Sequence, residues 1–524
     1  MSSPAADSSV WPAVVNAALL GTDRTPLSLP SGGALGAACS ELIDTSDAAA
    51  TLLRIAAAST VYRRCGRGPG RTTESAPGAA PPDTRPLCRP PAAAMLRRIM
   101  SGESPQLLGD WLVLASRHGV RAPSDSLRAL LDAGRDDLAL RSLIVDVGGP
   151  RAAWLAAFNE EWVYATGGAS QDTLVTAWET STGPARLAAL RQIRQLGAER
   201  ARTMLETSWT QESPTDRAAF IDTLGVGLSA ADEAFLERAL DDRRKEVRLA
   251  AAGLLSRLAS SALVARMTDR AARLVTLGRG GLLKRARVEV ALPDTADAAL
   301  VRDGVEAKPP ANSGIGERAW WLAQIVAAVP PSTWSERFSL EPAAVIRAAD
   351  GDWRAPLVAG WLVATERHRD VAWATALWES DRAARVDAGW NAPSPEQVYT
   401  SVVPPAQVDA MLVKAINDQR DSLRGGHSTY AAIVQWPHAW SDALARAVAR
   451  RLKEYARQPG SLVTQIGLHA LIERCAQAVP VSAGDAFMDG WPEQADAPAA
   501  WVQHVDTLTS VIRFRTDLHL AFES

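Results

Sequence analysis

The chain has 524 residues, too long for one ordinary hydrophobic core, and is expected to build about two to four subdomains or one continuous stack of repeats. Its 47% apolar content excludes wholesale disorder. Lys+Arg 56 against Asp+Glu 59 gives a net charge of -3, a near-balance that argues against a dedicated nucleic-acid binder.

Residues 1–10 read as a short polar tail without the basic and apolar regions of a signal peptide. A helix is predicted over 11–20, with Pro12 in its first turn, ended by the turn Gly21-Thr22-Asp23-Arg24-Thr25-Pro26. Thr22-Asp23-Arg24, a polar turn between apolar segments, is the most function-like local feature; the structural alternative is a helix end closed by an Asp23–Arg24 pair. A second helix is predicted over 48–64. Segment 66–91 is rich in Gly, Pro and Arg and has no periodicity, so it reads as a flexible surface loop. It is locally basic through Arg67, Arg71, Arg85 and Arg89, and a phosphate or nucleic-acid contact is its functional alternative. Helices over 92–100, 107–118, 124–131 and 137–145 complete an N-terminal block, 1–150. Gly148-Gly149-Pro150 then breaks the chain before a helix over 152–158.

Within 151–281 the sequence repeats itself at a step of 31 residues. Arg186, Arg217 and Arg248 keep that spacing, as do Leu190, Ile221 and Ala252, then Ile193, Leu224 and Leu255, then Leu205, Leu236 and Met267. Each unit has two amphipathic helices, and each pair leaves an apolar face that only the next pair can cover, so the units are expected to stack as an α-solenoid. Ser213-Pro214 supplies an N-cap followed by proline in the first turn, and Ser229 with Asp232 opens the next helix. The stretch from Asp242 to Ala252, Asp-x-x-x-x-Val-Arg-x-Ala-Ala in outline, resembles the HEAT-repeat signature. The resemblance implies that Asp242 and Arg248 bridge successive repeats. The functional alternative is that the aligned arginines form a basic ladder for an acidic partner.

Residues 282–318 read as a connection, with the alternating Arg287-Val288-Glu289-Val290 as a short strand. A C-terminal helical block, 319–524, follows, with helices over 319–329, 342–349, 355–366, 371–379, 407–417, 439–455, 461–478 and 499–513. Trp111-Leu112-Val113 with Arg117 and His118 recurs as Trp361-Leu362-Val363 with Arg367 and His368, an echo between the two blocks. Tryptophan is frequent, at 18, and Trp320, Trp321, Trp334, Trp353, Trp361, Trp373 and Trp378 either pack the core or line a groove for a partner peptide.

No chemistry-bearing motif stands out. The seven histidines form no His-x-x-x-His pair, and there is no phosphate-loop or Gly-x-Ser-x-Gly pattern. Cys39, Cys65, Cys88 and Cys475 have neither zinc-knuckle nor disulfide-framework spacing and read as thiols of a reducing cytoplasm. No apolar run reaches the roughly 18 residues of a membrane span. A cytoplasmic protein without cofactor or metal is expected.

Several stretches together resemble a bacterial family of unknown function, domain of unknown function 5691. They are Ala18-Leu19-Leu20-Gly21-Thr22-Asp23-Arg24, Tyr62-Arg63-Arg64, the segment from Trp154 to Trp162, Trp209-Thr210-Gln211-Glu212-Ser213, Asp241-Asp242-Arg243-Arg244-Lys245-Glu246-Val247-Arg248 and Arg302-Asp303-Gly304-Val305. The resemblance implies an all-α, HEAT-like protein with no assigned activity. It further implies an adaptor role beside MoxR-type AAA+ ATPases, von Willebrand factor A domain proteins and SWIM zinc-finger proteins. The leading expectation is a non-catalytic protein-protein scaffold, with Asp23, Arg24, Arg186, Arg217, Asp242, Arg243 and Arg248 as candidate interaction or inter-repeat residues. The alternatives are a HEAT-like nucleic-acid binder with an arginine-lined groove and, third, an enzyme of unknown class.

Overall fold

A computed structural model describes residues 10–31, 33–65, 78–166, 171–278, 286–380, 388–457, 468–491 and 499–523. Among the described residues the fold is all-α apart from one short two-stranded pairing. The chain divides into two compact units, residues 1–79 and 80–524.

The first unit holds α1 (Val10–Leu20), α2 (Gly33–Leu42) and α3 (Ala48–Cys65), with α1 and α2 both packed on α3. Helix α1 ends where the sequence predicts. Gly21 takes φ +89°, a left-handed conformation open to glycine, and its N–H donates to Ala17 O at 3.0 Å. Val14, Ala17, Leu35, Cys39 and Ile55 form the small core. Helix α2 was not expected: Gly33 and Gly36 interrupt its apolar run and hide the helical period.

The second unit begins with an extended segment that bridges Leu87 to Arg121. Arg85 is held there by Asp83 at 2.8 Å and donates to Asp146 O at 2.5 Å, so the described part of the predicted loop is tied down. Arg67 and Arg71 lie outside the described residues. Four helices follow, α4 (Pro90–Met100), α5 (Leu108–Arg117), α6 (Leu127–Asp136) and α7 (Arg141–Ala156). The expected break falls inside α7 as a kink, with Gly149 at φ +57°.

After α8 (Gln171–Thr180) come the three predicted pairs: α9 (Gly183–Leu196) with α10 (Ala198–Ser208), α11 (Pro214–Thr223) with α12 (Glu233–Ala239), and α13 (Lys245–Leu255) with α14 (Ala262–Leu274). Helix α9 packs on α11 and α11 on α13. The apolar positions at the 31-residue step are the buried ones: Leu190, Ile221 and Ala252; Ile193, Leu224 and Leu255; Leu205, Leu236 and Met267. The caps are also those expected. Ser213 Oγ accepts from Asp216 N at 3.2 Å, and Ser229 and Asp232 form a capping box.

Strand β1 (Val275–Gly278) pairs antiparallel with β2 (Arg287–Val290), the strand read from the alternation. Helix α15 (Ala298–Arg302) then leads to α16 (Glu317–Ala327), α17 (Ser332–Phe338), α18 (Pro342–Ala348), α19 (Arg354–His368), α20 (Val371–Glu379), α21 (Pro395–Val402) and α22 (Pro405–Asp418). The chain finishes with α23 (Ser428–Gln435), α24 (Asp442–Ala456), α25 (Leu468–Ala478), α26 (Asp485–Met488) and α27 (Ala499–Glu523).

These later helices pack in two rows. One row runs α16 on α19, α19 on α21, then α23, α25 and α27; the other pairs α18 with α20 and α22 with α24 and α26. Gly360 lets α19 come close to α16, because a Cβ there would stand 2.7 Å from Ala323 O. Tryptophan fills the space that alanine-rich helices leave. Trp320, Trp321, Trp334, Trp361, Trp373 and Trp378 are all buried, with the Trp361 and Trp373 rings 5.3 Å apart. Trp353, the seventh of the set, is half-buried and packs against the same core, so core packing accounts for these rings, while Trp320 also borders a cleft.

The last helix returns to the first helices of the same unit. Helix α27 packs on α4 and α5, where Phe522 meets Trp111 edge-on at 5.7 Å and Arg515 Nε reaches Asp110 at 2.6 Å. One hydrophobic core runs from Cys88 to Phe522.

Candidate functional site

The arginines at the 31-residue step are turned onto the chain's own groups. Arg186 meets Glu212 through two hydrogen bonds of 2.7 Å and lies 4.0 Å above the Trp178 ring. Arg217 meets Asp242 at 2.6 Å and lies 5.5 Å from the Trp209 ring. Trp178 and Trp209 are themselves 31 residues apart, a feature of the repeat that the arginine spacing alone did not bring out. Glu212 and Asp242 each come from the loop that opens the next helical pair, so each ion pair ties one pair to its successor.

Arg248 departs from this pattern. Its Nη1 donates to the backbone oxygens of Asp242 at 2.8 Å and Arg243 at 3.1 Å, pinning the loop in front of α13. Asp242 thus joins two pairs through Arg217, while Arg248 holds its own loop. The Arg243 side chain is exposed. Asp23 and Arg24 are both exposed in the turn after α1, and among the described residues no ion pair links them. They lie in the first unit, whereas the other five candidates lie in the second.

Two further charged centres were not anticipated. Arg194 is 2% exposed and Asp232 0%, and they pair at 2.7 Å. Arg194 also donates to the backbone oxygens of Val226, Ala198, Leu224 and Gly227, so its guanidinium is satisfied on every side. Asp232, read from sequence only as a cap, doubles as the counter-ion. Burial acts to raise its carboxyl pKa, yet the Arg194 hydrogen bonds and the Ser229 N–H hold it below the usual value.

Asp303 is the second centre. It accepts from Arg266 at 2.8 Å and is paired also with Arg270 and Arg302. Here too burial opposes ionisation, and the arginines win, lowering the pKa. The next residue, Gly304, sits at φ +88°, and a Cβ there would lie 2.3 Å from the Ala252 Cβ. Only glycine fits this turn against α13.

Beside that turn, where the row containing α13 gives way to the row starting at α16, lies a cleft of about 290 Å³. It is bordered by α13, α14, the 303–306 turn, α16, α19 and Trp390-Asn391. Its walls are mostly apolar side chains, with Ser256, Asp303, Glu306, Gln324, Arg367 and Asn391 as the polar ones. Sequence reasoning had no view of it, because its residues come from six separate stretches. The one local sign was Gly253 in the last turn of an otherwise Ala- and Leu-rich helix.

The description "Family of unknown function (DUF5691)" belongs to the family model that matches residues 13–522. No curated protein and no solved structure matches the chain.

Proposed function

As a member of this family of unknown function, to which the chain belongs over nearly its whole length, the protein is, we propose, a non-catalytic scaffold for protein-protein interaction. The observation that carries the reading is the use made of the repeat arginines. Arg186 and Arg217 are spent on Glu212 and Asp242, so they brace one helical pair against the next instead of offering a cationic groove. Paired charges of this kind stiffen a stack of helices. A stiff stack with a continuous core suits the holding of a partner in a fixed position.

The partner class we favour is the one the family resemblance points to, a MoxR-type AAA+ ATPase working with a von Willebrand factor A domain protein, with the stacked pairs acting as HEAT-like repeats in the cytoplasm. The test is reconstitution. The purified chain is mixed with the MoxR-type ATPase of the same source organism, and co-elution and ATP hydrolysis are followed. The proposal expects a stoichiometric complex at 150–200 mM salt, roughly the range in which surface electrostatics are screened. Tight binding to double-stranded DNA, falling by about a thousandfold or more between roughly 50 and 200 mM salt and lost when Arg186 and Arg217 become alanine, would instead establish the nucleic-acid reading.

A further inference from the structure

The cleft between α13, α16 and α19 contains a cation that the fold does not neutralise. Arg367, near the end of α19, makes one hydrogen bond among the described residues, from Nη1 to Ala327 O at 3.0 Å, and has no carboxylate at ion-pair distance. Burial pulls its pKa down to about 10, and the nearby Arg257 acts in the same direction against Glu366. The other charges of the cleft are already committed. Asp303 is held by Arg266, Arg270 and Arg302, and Glu306 by Lys245. Arg367 is half-buried, and its Nε and Nη2 make no hydrogen bond among the described residues, so the guanidinium has donors to offer an anion that enters the cleft.

A second observation, independent of charge, points to the same cavity. Gly253 stands in the last turn of α13, at a helical position that alanine would fill more stably. No close approach requires it, since a Cβ at this position would meet nothing within 4 Å, and its φ is not left-handed. Gly253 lines the cleft, together with Ala252, Ala323, Ala327, Ala359 and Val363. Its effect is to leave volume open in front of Arg367. By contrast Gly304, across the cleft, is forced by φ and by Ala252 and says nothing about a ligand.

We propose that this cleft binds a monocarboxylate with a small apolar body, the carboxylate received by Arg367 and the body by the alanine-rich walls of α13, α16 and α19. A guanidinium fork matches the two oxygens of a carboxylate. Arg367 is the one cation of the lining without a carboxylate partner among the described residues, which matches a single negative charge. The volume of about 290 Å³ sets the scale at a short-chain acid or the last residue of a polypeptide. Free acids and peptide C-termini share this chemistry, and the inference does not depend on the scaffold reading.

Isothermal titration calorimetry on the full chain tests it, with hexanoate, hexan-1-ol, inorganic phosphate, and a hexapeptide ending in leucine as the free acid and as the amide. Hexanoate or the free-acid peptide is expected to saturate one site, with hexan-1-ol and the amide at least about tenfold weaker. The tighter of the two acids tells which source the site serves. Arg367→Met is expected to lose the binding in a protein that still unfolds cooperatively, with at most about 1 kcal/mol lost with its hydrogen bond to Ala327 O. Gly253→Leu fills the cleft with Arg367 intact and is expected to abolish binding in a folded protein. The proposal is overturned if neither acid saturates, if phosphate binds more tightly than both, or if Gly253→Leu binds the acids as wild type does.

Discussion

At the scale of single residues, the strongest commitments of this chain are its buried ion pairs. Arg194 and Asp232 are closed off from solvent and hold each other along with the turn at 224–229. Removing one partner strands the other, so Arg194→Met is expected to cost about 3–5 kcal/mol, and Asp232→Asn a similar amount. Replacing both by apolar residues of matched volume is expected to recover much of that loss. Chemical denaturation of the two single variants and the double variant checks this; additive losses would show that the pair is not coupled. The carboxyls of Asp232 and Asp303 titrate below their ordinary value in the folded protein. A depressed folded pKa gives stability that is present above the unfolded value of about 3.9 and is lost as pH falls through the folded value. Stability is therefore expected to drop steeply below about pH 4, and Asp303→Asn to flatten that drop while lowering stability at neutral pH. A wild-type denaturation midpoint constant from pH 5 to pH 3 would contradict this.

Some of this was legible in the residues. The 31-residue step identified Arg186, Arg217 and Arg248, whereas a linking role for Asp242 and Arg248 came only from the HEAT-like resemblance; in the structure Asp242 bonds to Arg217. What spacing could not give was the partner of each arginine. Glu212 and Asp242 sit in loops of different length, 26 and 25 residues beyond their arginines, so the acids break the period that the arginines keep. Arg194 and Asp232 were hidden because a buried pair 38 residues apart leaves no local pattern.

At the scale of elements, caps and glycines decide where helices stop. Ser213 Oγ accepts the Asp216 N–H at the start of α11, and Ser213→Ala is expected to cost about 1 kcal/mol, read as a lower denaturation midpoint with unchanged slope. Gly304→Ala combines a left-handed φ with a Cβ 2.3 Å from Ala252, and is expected to cost several times more than the cap. The two stretches Trp209–Ser213 and Arg302–Val305, which carried part of the family resemblance, are thus joints of the helical frame: one supplies Glu212 to Arg186, the other Asp303 and Gly304 to the α13–α14 pair. Long periodic helices were readable from sequence, and α20 was placed to the residue. Helices such as α17, α21 and α23 were missed because their 7 or 8 residues are too few to show a period. Strand β1 was missed because it follows α14 without a turn signal and is defined only by pairing with β2. The cleft was invisible for the same reason of scale, being assembled from separate elements.

At the scale of the molecule, the second unit is fastened where its last helix meets its first ones. Phe522 is 7% exposed and packs against Trp111 and His118, and Arg515 reaches Asp110. Phe522→Ala is expected to cost about 3–5 kcal/mol and to shift tryptophan emission to the red as Trp111 gains water. Unchanged emission and stability would show that the contact is peripheral. A frame with its charges paired internally and its ends fastened is the basis of the scaffold proposal, and a partner is what that proposal stands on. The most direct test is affinity purification of the tagged chain from its own host at native abundance, with nuclease treatment and elution divided between low and high salt, followed by mass spectrometry. The account predicts a stoichiometric AAA+ ATPase that survives both nuclease and high salt. Recovery of nucleic acid without that ATPase, lost at high salt, would contradict it.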